Sequence, residues 1–309
     1  MSEIFSPQTA QDWYNQIQKD LKGKTLEDIL VKNYENIPIK AFFVKEDINE
    51  AFSEQVNNLL KNKTQTTFSE EVEIISDLLC PSIEFGKKLQ EEDLKNFFDE
   101  LHTKDRFVIN LTFLHNAGAN AIQELALALA LANFYLEKAS DRGNIETMLP
   151  KMSFSVAVGA NFFMEIAKLR VLPYLINRLV NLYLPEKQDY LPFIKAQTAQ
   201  INKSEQDAYN NIIRATLEAM AANIAQVDEI QILPHDYFSD SPDSFSENIA
   251  KNIQHILHYE SKIDFVKDIS SGAYFIEYLS YQLAQKAWEL FQQIQSEGGI
   301  VSFAEKGSL

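Results

Sequence analysis

An α/β fold, a (β/α)8 barrel of the TIM type with a compressed first half and an N-terminal helical arm, is what this sequence predicts. Three observations predict it. From about residue 106 onward, a short β-rich run, a turn signal and a long helical pattern follow one another four times; such units join parallel strands by crossovers. No glycine-rich fingerprint follows the first of these strands, which favours a closed barrel over an open dinucleotide-binding sheet. The 309 residues are 46% hydrophobic and 11% aromatic, enough to bury a core of that size.

Taken in order, residues 11–21 read as a helix, 37–44 as a strand, 47–61 as an amphipathic helix with an acidic start, and 64–68 as a polar loop. A further strand is expected near 83–85, ahead of a charged helix over 91–101. Four clear strands do not emerge from this part, hence the compressed first half. The repeating units then pair a strand at 107–113 with a helix at 119–138, and 153–158 with 162–183. They continue with 193–198 and 205–224, then 229–233 and 244–258. A last helix over 274–296 sets Phe275, Leu279, Leu283, Trp288 and Phe291 near helical spacing, and Gly298-Gly299 stops it. Such a stripe is a face for core packing.

Composition excludes several function classes. A net charge of −16 opposes sequence-independent nucleic-acid binding and docking on an anionic membrane. Nine glycines, about 3% against a usual share of roughly 7%, with no GxGxxG and no P-loop, leave no phosphate-cradling loop. Cys80 is the single cysteine, so neither an intrachain disulfide nor a cysteine zinc cluster forms, as suits a reducing cytoplasm. The first residues lack the basic and apolar regions of a secretory signal, and no run of about 18 apolar residues would span a membrane. Asn-x-Ser/Thr triplets at Asn62, Asn110 and Asn202 are then chance matches.

Few residues stand out as chemical. His115, beside Asn116, lies beyond a strand C-terminus, where barrel active sites gather. His235-Asp236 follows another strand, though adjacent side chains rarely converge for acid–base work. His255 and His258 share a helical face near Glu260, but nothing nearby completes a metal ligand set. The acidic pairs Glu70-Glu71 and Glu91-Glu92 read as solvated helix faces, and Cys80 has no local histidine partner.

Several segments carry a resemblance. Asn161-Phe162-Phe163-Met164-Glu165-Ile166-Ala167-Lys168-Leu169-Arg170 is close to NFFMEIAKLRA, and residues 206–214, QDAYNNIIR, to QDPYNNxxR, running into Glu218-Ala219-Met220-Ala221-Ala222. Residues 245–254, FSENIAKNIQ, stand against SARIARNTQ, and the run from Asp268 to Glu277 against DPAAGSYYIE. Ala117-Gly118-Ala119 with the helix after it, and Trp13 with Leu21-Lys22-Gly23-Lys24, add two further matches. In these motifs and their order the chain resembles the methylmalonyl-CoA mutase family, adenosylcobalamin-dependent isomerases of acyl-CoA. The resemblance implies the family's acyl-CoA-binding barrel over 46–309 and an arm over 1–45 that contacts a partner subunit.

The departures from the family shape the expected function. Counting without gaps from the EAMAA motif sets the family's catalytic histidine at Gln231, where an amide exchanges no proton near neutral pH. Gln197-Thr198 keeps the start of a QTSG substrate segment; Lys251 replaces an arginine that suits phosphate better. Gln197, Thr198, His115, Asn211 and Lys251 are accordingly the substrate-binding candidates, with no catalytic residue and no metal ligand. An arginine-rich CoA-contacting segment and the DxHxxG cobalamin motif are absent from these residues, so no cofactor is expected on this chain. The run 231–236, QILPHD, is similar to the VLPFD of the small, non-catalytic subunit. The expected function is therefore a small-subunit-type partner in a heterodimer with the large catalytic subunit. The alternative is an acyl-CoA-binding barrel working with a separate cobalamin-binding chain.

Overall fold

The computed structural model describes residues 9–23, 30–31, 33–63, 73–85, 89–239 and 243–306. Five short runs rich in Ile, Val and Phe form the strands β1 (Ile74–Ser76), β2 (Arg106–Asn110), β3 (Met152–Val158), β4 (Phe193–Thr198) and β5 (Glu229–Gln231). All are parallel and lie side by side in chain order. That order, without the reversal of a doubly wound sheet, is the one a TIM-type barrel uses. The first helices are α1 (Ala10–Asp20), α2 (Glu50–Lys61), α3 (Leu79–Phe85), α4 (Glu91–Leu101) and α5 (Thr112–Asn116). They are followed by α6 (Ala121–Asp141), α7 (Ile145–Met148), α8 (Phe162–Tyr183), α9 (Asn210–Ile224), α10 (Ser244–His255), α11 (Tyr274–Ser296) and α12 (Gly299–Glu305).

In a parallel sheet, residues in register share a face. Ile109, Phe154 and Ile194 are in register, as are Val156, Ala196 and Ile230. These form an apolar face, and α6, α8 and α9 lie against one another beside it. The opposite face carries Asn110, Ser155, Lys195 and Glu229 in one row and Ala157, Gln197 and Gln231 in the next. Its polar residues are half-buried or exposed, and Lys195 pairs with Glu229 at 2.9 Å. Helix α6 explains itself by composition: Ala126 to Ala132 are buried without a break, as in a helix enclosed on all sides. The Asn120 side chain accepts the N–H of Gln123 and the Gln123 side chain accepts that of Asn120, which starts the helix. Helix α11 then covers α6 and α8.

Two buried polar devices tie distant segments together. Arg170 on α8 is 1% exposed and donates from Nε and Nη2 to Asp268 at 2.9 and 3.1 Å. Its Nη1 and Nη2 donate to Glu277 at 3.2 and 3.0 Å, and Nη2 also to Asn57. The second device holds the β1–α3 turn. The Tyr135 hydroxyl accepts the N–H groups of Leu78 and Leu79 at 2.7 and 3.2 Å, while Asp77 accepts those of Cys80 and Asn110 at 2.7 and 3.1 Å. Burial pushes the Asp77 carboxyl above the ordinary range. Tyr135→Phe takes the acceptor from the Leu79 N–H and is expected to cost about 1–3 kcal/mol, read by urea denaturation.

The structure corrects the N-terminal expectations. Residues 37–44 form no strand: Ile39 makes a single bridge to Val31, and Lys45–Asp47 is a 3-10 turn. The segment lies along α11 instead, with Phe43 against Phe275 and Tyr278, and the Tyr278 hydroxyl donating to the Pro38 carbonyl. The strand expected near 83–85 is helix α3, started by the Asp77 carboxylate on the Cys80 N–H, with Pro81 in its first turn. The described residues carry five strands rather than eight, and β1 was not expected. The loop at 64–68 and the pair Glu70-Glu71 lie outside the described residues; Glu91 and Glu92 are exposed at the start of α4. No helix among the described residues is long and apolar enough to cross a membrane.

Candidate functional site

Strand C-termini are where this architecture exposes side chains for binding and chemistry. Here β2 ends at Asn110 and leads into α5, which carries His115; β3 ends before Gly159; β4 ends at Gln197-Thr198; β5 ends at Gln231. His115 Nδ1 lies 2.7 Å from Glu124 Oε1. A carboxylate only accepts, so Nδ1 carries a hydrogen directed at Glu124. The ring lies so close to Gly159 that an added Cβ would stand 2.6 Å from Nε2, which is why glycine occupies that position.

Behind the ring, Lys168 Nζ donates to the other Glu124 oxygen at 2.9 Å and to the Ala157 carbonyl at 3.0 Å. It also forms an ion pair with Glu165 Oε2 at 2.7 Å. The three-residue spacing of Glu165 and Lys168 sets both on one face of α8. All three charged groups are buried. Burial pushes Glu165 up against the pull of Lys168, and Glu124 adds to the rise. Burial alone would lower Lys168, but Glu124 and Glu165 outweigh it and hold the ammonium above its ordinary range.

Donor atoms of His115, Glu124 and Glu165 lie within 4.8 Å of one another, a spacing a divalent ion would accept. Lys168 already supplies the positive charge to both carboxylates, so a second cation would meet its ammonium.

A second buried pair lies under the loop after β4. Lys203 donates to both oxygens of Glu218 at 2.7 Å, and the Asn202 amide donates to one of them at 2.6 Å. Asn211 is engaged throughout: its amide donates to the carbonyls of Ser204 and His235 at 2.9 Å, and its oxygen accepts from Ser204 N–H and Arg214.

Of the candidates read from sequence, Gln197 and Gln231 come together as neighbours in one row of the open sheet face. Thr198 is buried on the other side, its hydroxyl accepting the Leu233 N–H at 2.9 Å. Asn211 braces the loop, and Lys251 is exposed on α10, with no hydrogen bond or ion pair tying it to the strand ends among the described residues. His235 stacks on Tyr209 and makes no bond to Asp236. His258 pairs with Asp264 and His255 stacks on Tyr259, so no metal face forms there.

Sequence reasoning missed Glu124, Gly159, Glu165 and Lys168. A signal exists: each charge interrupts a strongly apolar helical run, and a charge on a buried face requires a partner.

Comparison with known proteins follows the same segments. The family model for methylmalonyl-CoA mutase matches residues 99–309. The methylmalonyl-CoA mutase of Cereibacter sphaeroides is 37% identical over 196 residues, 63% of this chain and 28% of the relative. The methylmalonyl-CoA mutase small subunit of Porphyromonas gingivalis is 38% identical over 204 residues, 65% of this chain and 33% of the relative. The large subunit from the same organism is 28% identical over 274 residues, 88% of this chain and 38% of the relative. The matches thus span about a third of the length of these relatives.

Proposed function

We propose, from the premise that this chain belongs to the methylmalonyl-CoA mutase family, that it is a small-subunit-type component of a mutase interconverting methylmalonyl-CoA and succinyl-CoA. It is itself non-catalytic, and it stabilises or regulates a large catalytic subunit that carries adenosylcobalamin. The observation that carries this reading is how the ionisable groups at the strand ends are spent. Lys168 is shared by Glu124 and Glu165, Glu218 takes Lys203, and the residues brought side by side at the ends of β4 and β5 are amides, Gln197 and Gln231. Amides orient a ligand by hydrogen bonds but move no proton near neutral pH. The assignment of Gln231 to the family's histidine position adds to this reading.

Residues 1–45 serve as the partner-binding arm and 46–309 as the barrel unit. In support, α1 buries none of its own residues and presents Trp13, Tyr14 and Ile17, with Trp13 resting on Phe42. The complex belongs in a reducing, cytoplasmic setting, in keeping with a single, buried cysteine that forms no disulfide.

A second reading rests on His115. An imidazole at a strand end, oriented by a carboxylate at 2.7 Å, is an arrangement general acid–base catalysis uses. Under it, the chain is the acyl-CoA-binding barrel of an active isomerase working with a separate cobalamin-binding chain. Reconstitution separates the two. The first reading expects a complex with the large subunit, turnover in the mixture and none from this chain, and full turnover with His115→Gln. Failure to form a complex overturns it, whereas turnover lost with His115→Gln selects the second.

A further inference from the structure

Helix α10, with the wide π turn Ile256–Glu260 that continues it, carries two apolar stripes where a peripheral helix needs one. The inner stripe buries Ala250, Ile253 and Leu257, and the last two pack with Ala219 of α9 and with Ile230 and Ile232. At about 100° per residue, the second stripe runs along one flank of that face. It consists of Phe245, Ile249, Asn252, Ile256 and Tyr259, four, three, four and three residues apart, the spacing of a two-helix seam. Phe245 is 58% exposed, Ile256 48% and Tyr259 63%, so the described residues do not cover them. The other flank carries Glu247, Lys251, Gln254 and His258 and is polar.

The place of α10 in the fold explains why this flank stays uncovered. It follows β5, the last strand of the sheet, which pairs with β4 alone among the described residues. Helix α9 packs against α10, and no further strand follows it among the described residues.

Charge and symmetry select the occupant. A net charge of −16 opposes self-association in general. Over 244–267, however, Glu247, Glu260 and Asp264 are matched by Lys251, Lys262 and Lys267, so a second copy meets no net charge there. The stripe is also complementary to itself. With two copies antiparallel about a two-fold axis at Asn252, Phe245 faces Tyr259 of the other copy and Ile249 faces Ile256. Each Asn252 then meets its own equivalent. An amide holds both donors and an acceptor, so the two side chains satisfy each other and fix the register.

We propose that α10 is a homodimer contact, in which two copies of this chain pack their α10 flanks antiparallel about Asn252. Phe245, Ile256 and Tyr259 are its anchors. The contact uses neither α1 nor the residues at the strand ends, so it goes beyond the subunit reading and does not rest on it.

Sedimentation equilibrium of the full chain over a dilution series tests this, with a thermal melt of each variant to confirm folding. The unmodified chain is expected to dimerise. Ile256→Asp should weaken the dimer by about tenfold or more, as the loss of an interface anchor does. Cysteine cross-linking reads the register independently. Asn252→Cys lies on the axis and is expected to give a disulfide-linked dimer under a mild oxidant, whereas Glu247→Cys on the polar flank is not. Cys80 is buried, so the unmodified chain supplies the background. A chain that stays monomeric overturns the proposal, as does a dimer that Ile256→Asp leaves intact or cross-linking that is equal at the two positions. If the flank serves the large subunit instead, the free chain is monomeric and Ile256→Asp breaks the mixed complex, which overturns it as well.

Discussion

Replacing Arg170 by methionine is expected to destabilise the protein by about 3–5 kcal/mol, the range for removing one partner of a buried ion pair. The guanidinium is buried and divides its donors between Asp268 and Glu277, with bonds of 2.9 to 3.2 Å. Methionine fills most of the stem volume, so the loss is electrostatic rather than a cavity. Two buried carboxylates are left facing each other without a cation. The same carboxylates organise the turn before α11: Glu277 accepts the Gly272 N–H at 3.0 Å and Asp268 accepts the Ser270 hydroxyl at 3.2 Å. That turn and the α8–α11 contact should therefore loosen together. Arg170→Lys restores the charge but not the fork, so it should recover only part of the loss. Urea denaturation of the three forms decides the matter; a loss below about 1 kcal/mol for Arg170→Met would contradict it.

That network also marks where sequence reading succeeds and stops. Helices α4, α8 and α11 take the bounds their periodicity predicts, because each carries an apolar face and its own start and stop signals. Strand β4 does so too, since its alternation of Ile194, Ala196 and Thr198 with Phe193, Lys195 and Gln197 is local. Residues 37–44 mislead because their apolar side chains pack on α11, a contact more than 230 residues away that mimics a strand pattern. Strand β1 is three residues long, and its pairing with β2 rather than its own sequence makes it a strand.

The site divides the same way. His115 is legible from its place after a strand, which needs no knowledge of any other segment. Its partners are not: Glu124 and Lys168 lie 44 residues apart and meet only once α6 and α8 stand side by side. Spacing rules within one helix reach the Glu165–Lys168 pair alone. Gln197 and Gln231 were singled out from sequence by resemblance, and their adjacency follows from the β4–β5 register.

Lys168→Met provides the second large effect, and its pH dependence makes it the sharper of the two. The side chain is 3% exposed, and its ammonium joins Glu124, Glu165 and the Ala157 carbonyl. Near and above neutral pH its loss is expected to cost about 3–5 kcal/mol, since Glu124 and Glu165 then repel each other in burial. The Lys168 ammonium is held above its ordinary range, so its contribution persists throughout the range below its ordinary value of 10.5 and disappears only as pH rises through the folded value. In the variant, the carboxyls answer instead. Glu165, already raised by burial, takes up a proton as pH falls, which removes the repulsion. The deficit should therefore be largest at about pH 8 and shrink toward pH 5, the direction opposite to a simple loss of packing, which pH does not alter. Adding Glu165→Gln to Lys168→Met should recover part of the loss at pH 8, with a coupling of about 0.5–3 kcal/mol between the two sites. Equal deficits at both pH values, or additive losses in the double variant, would show that the ammonium contributes by packing alone and not by balancing the two carboxylates.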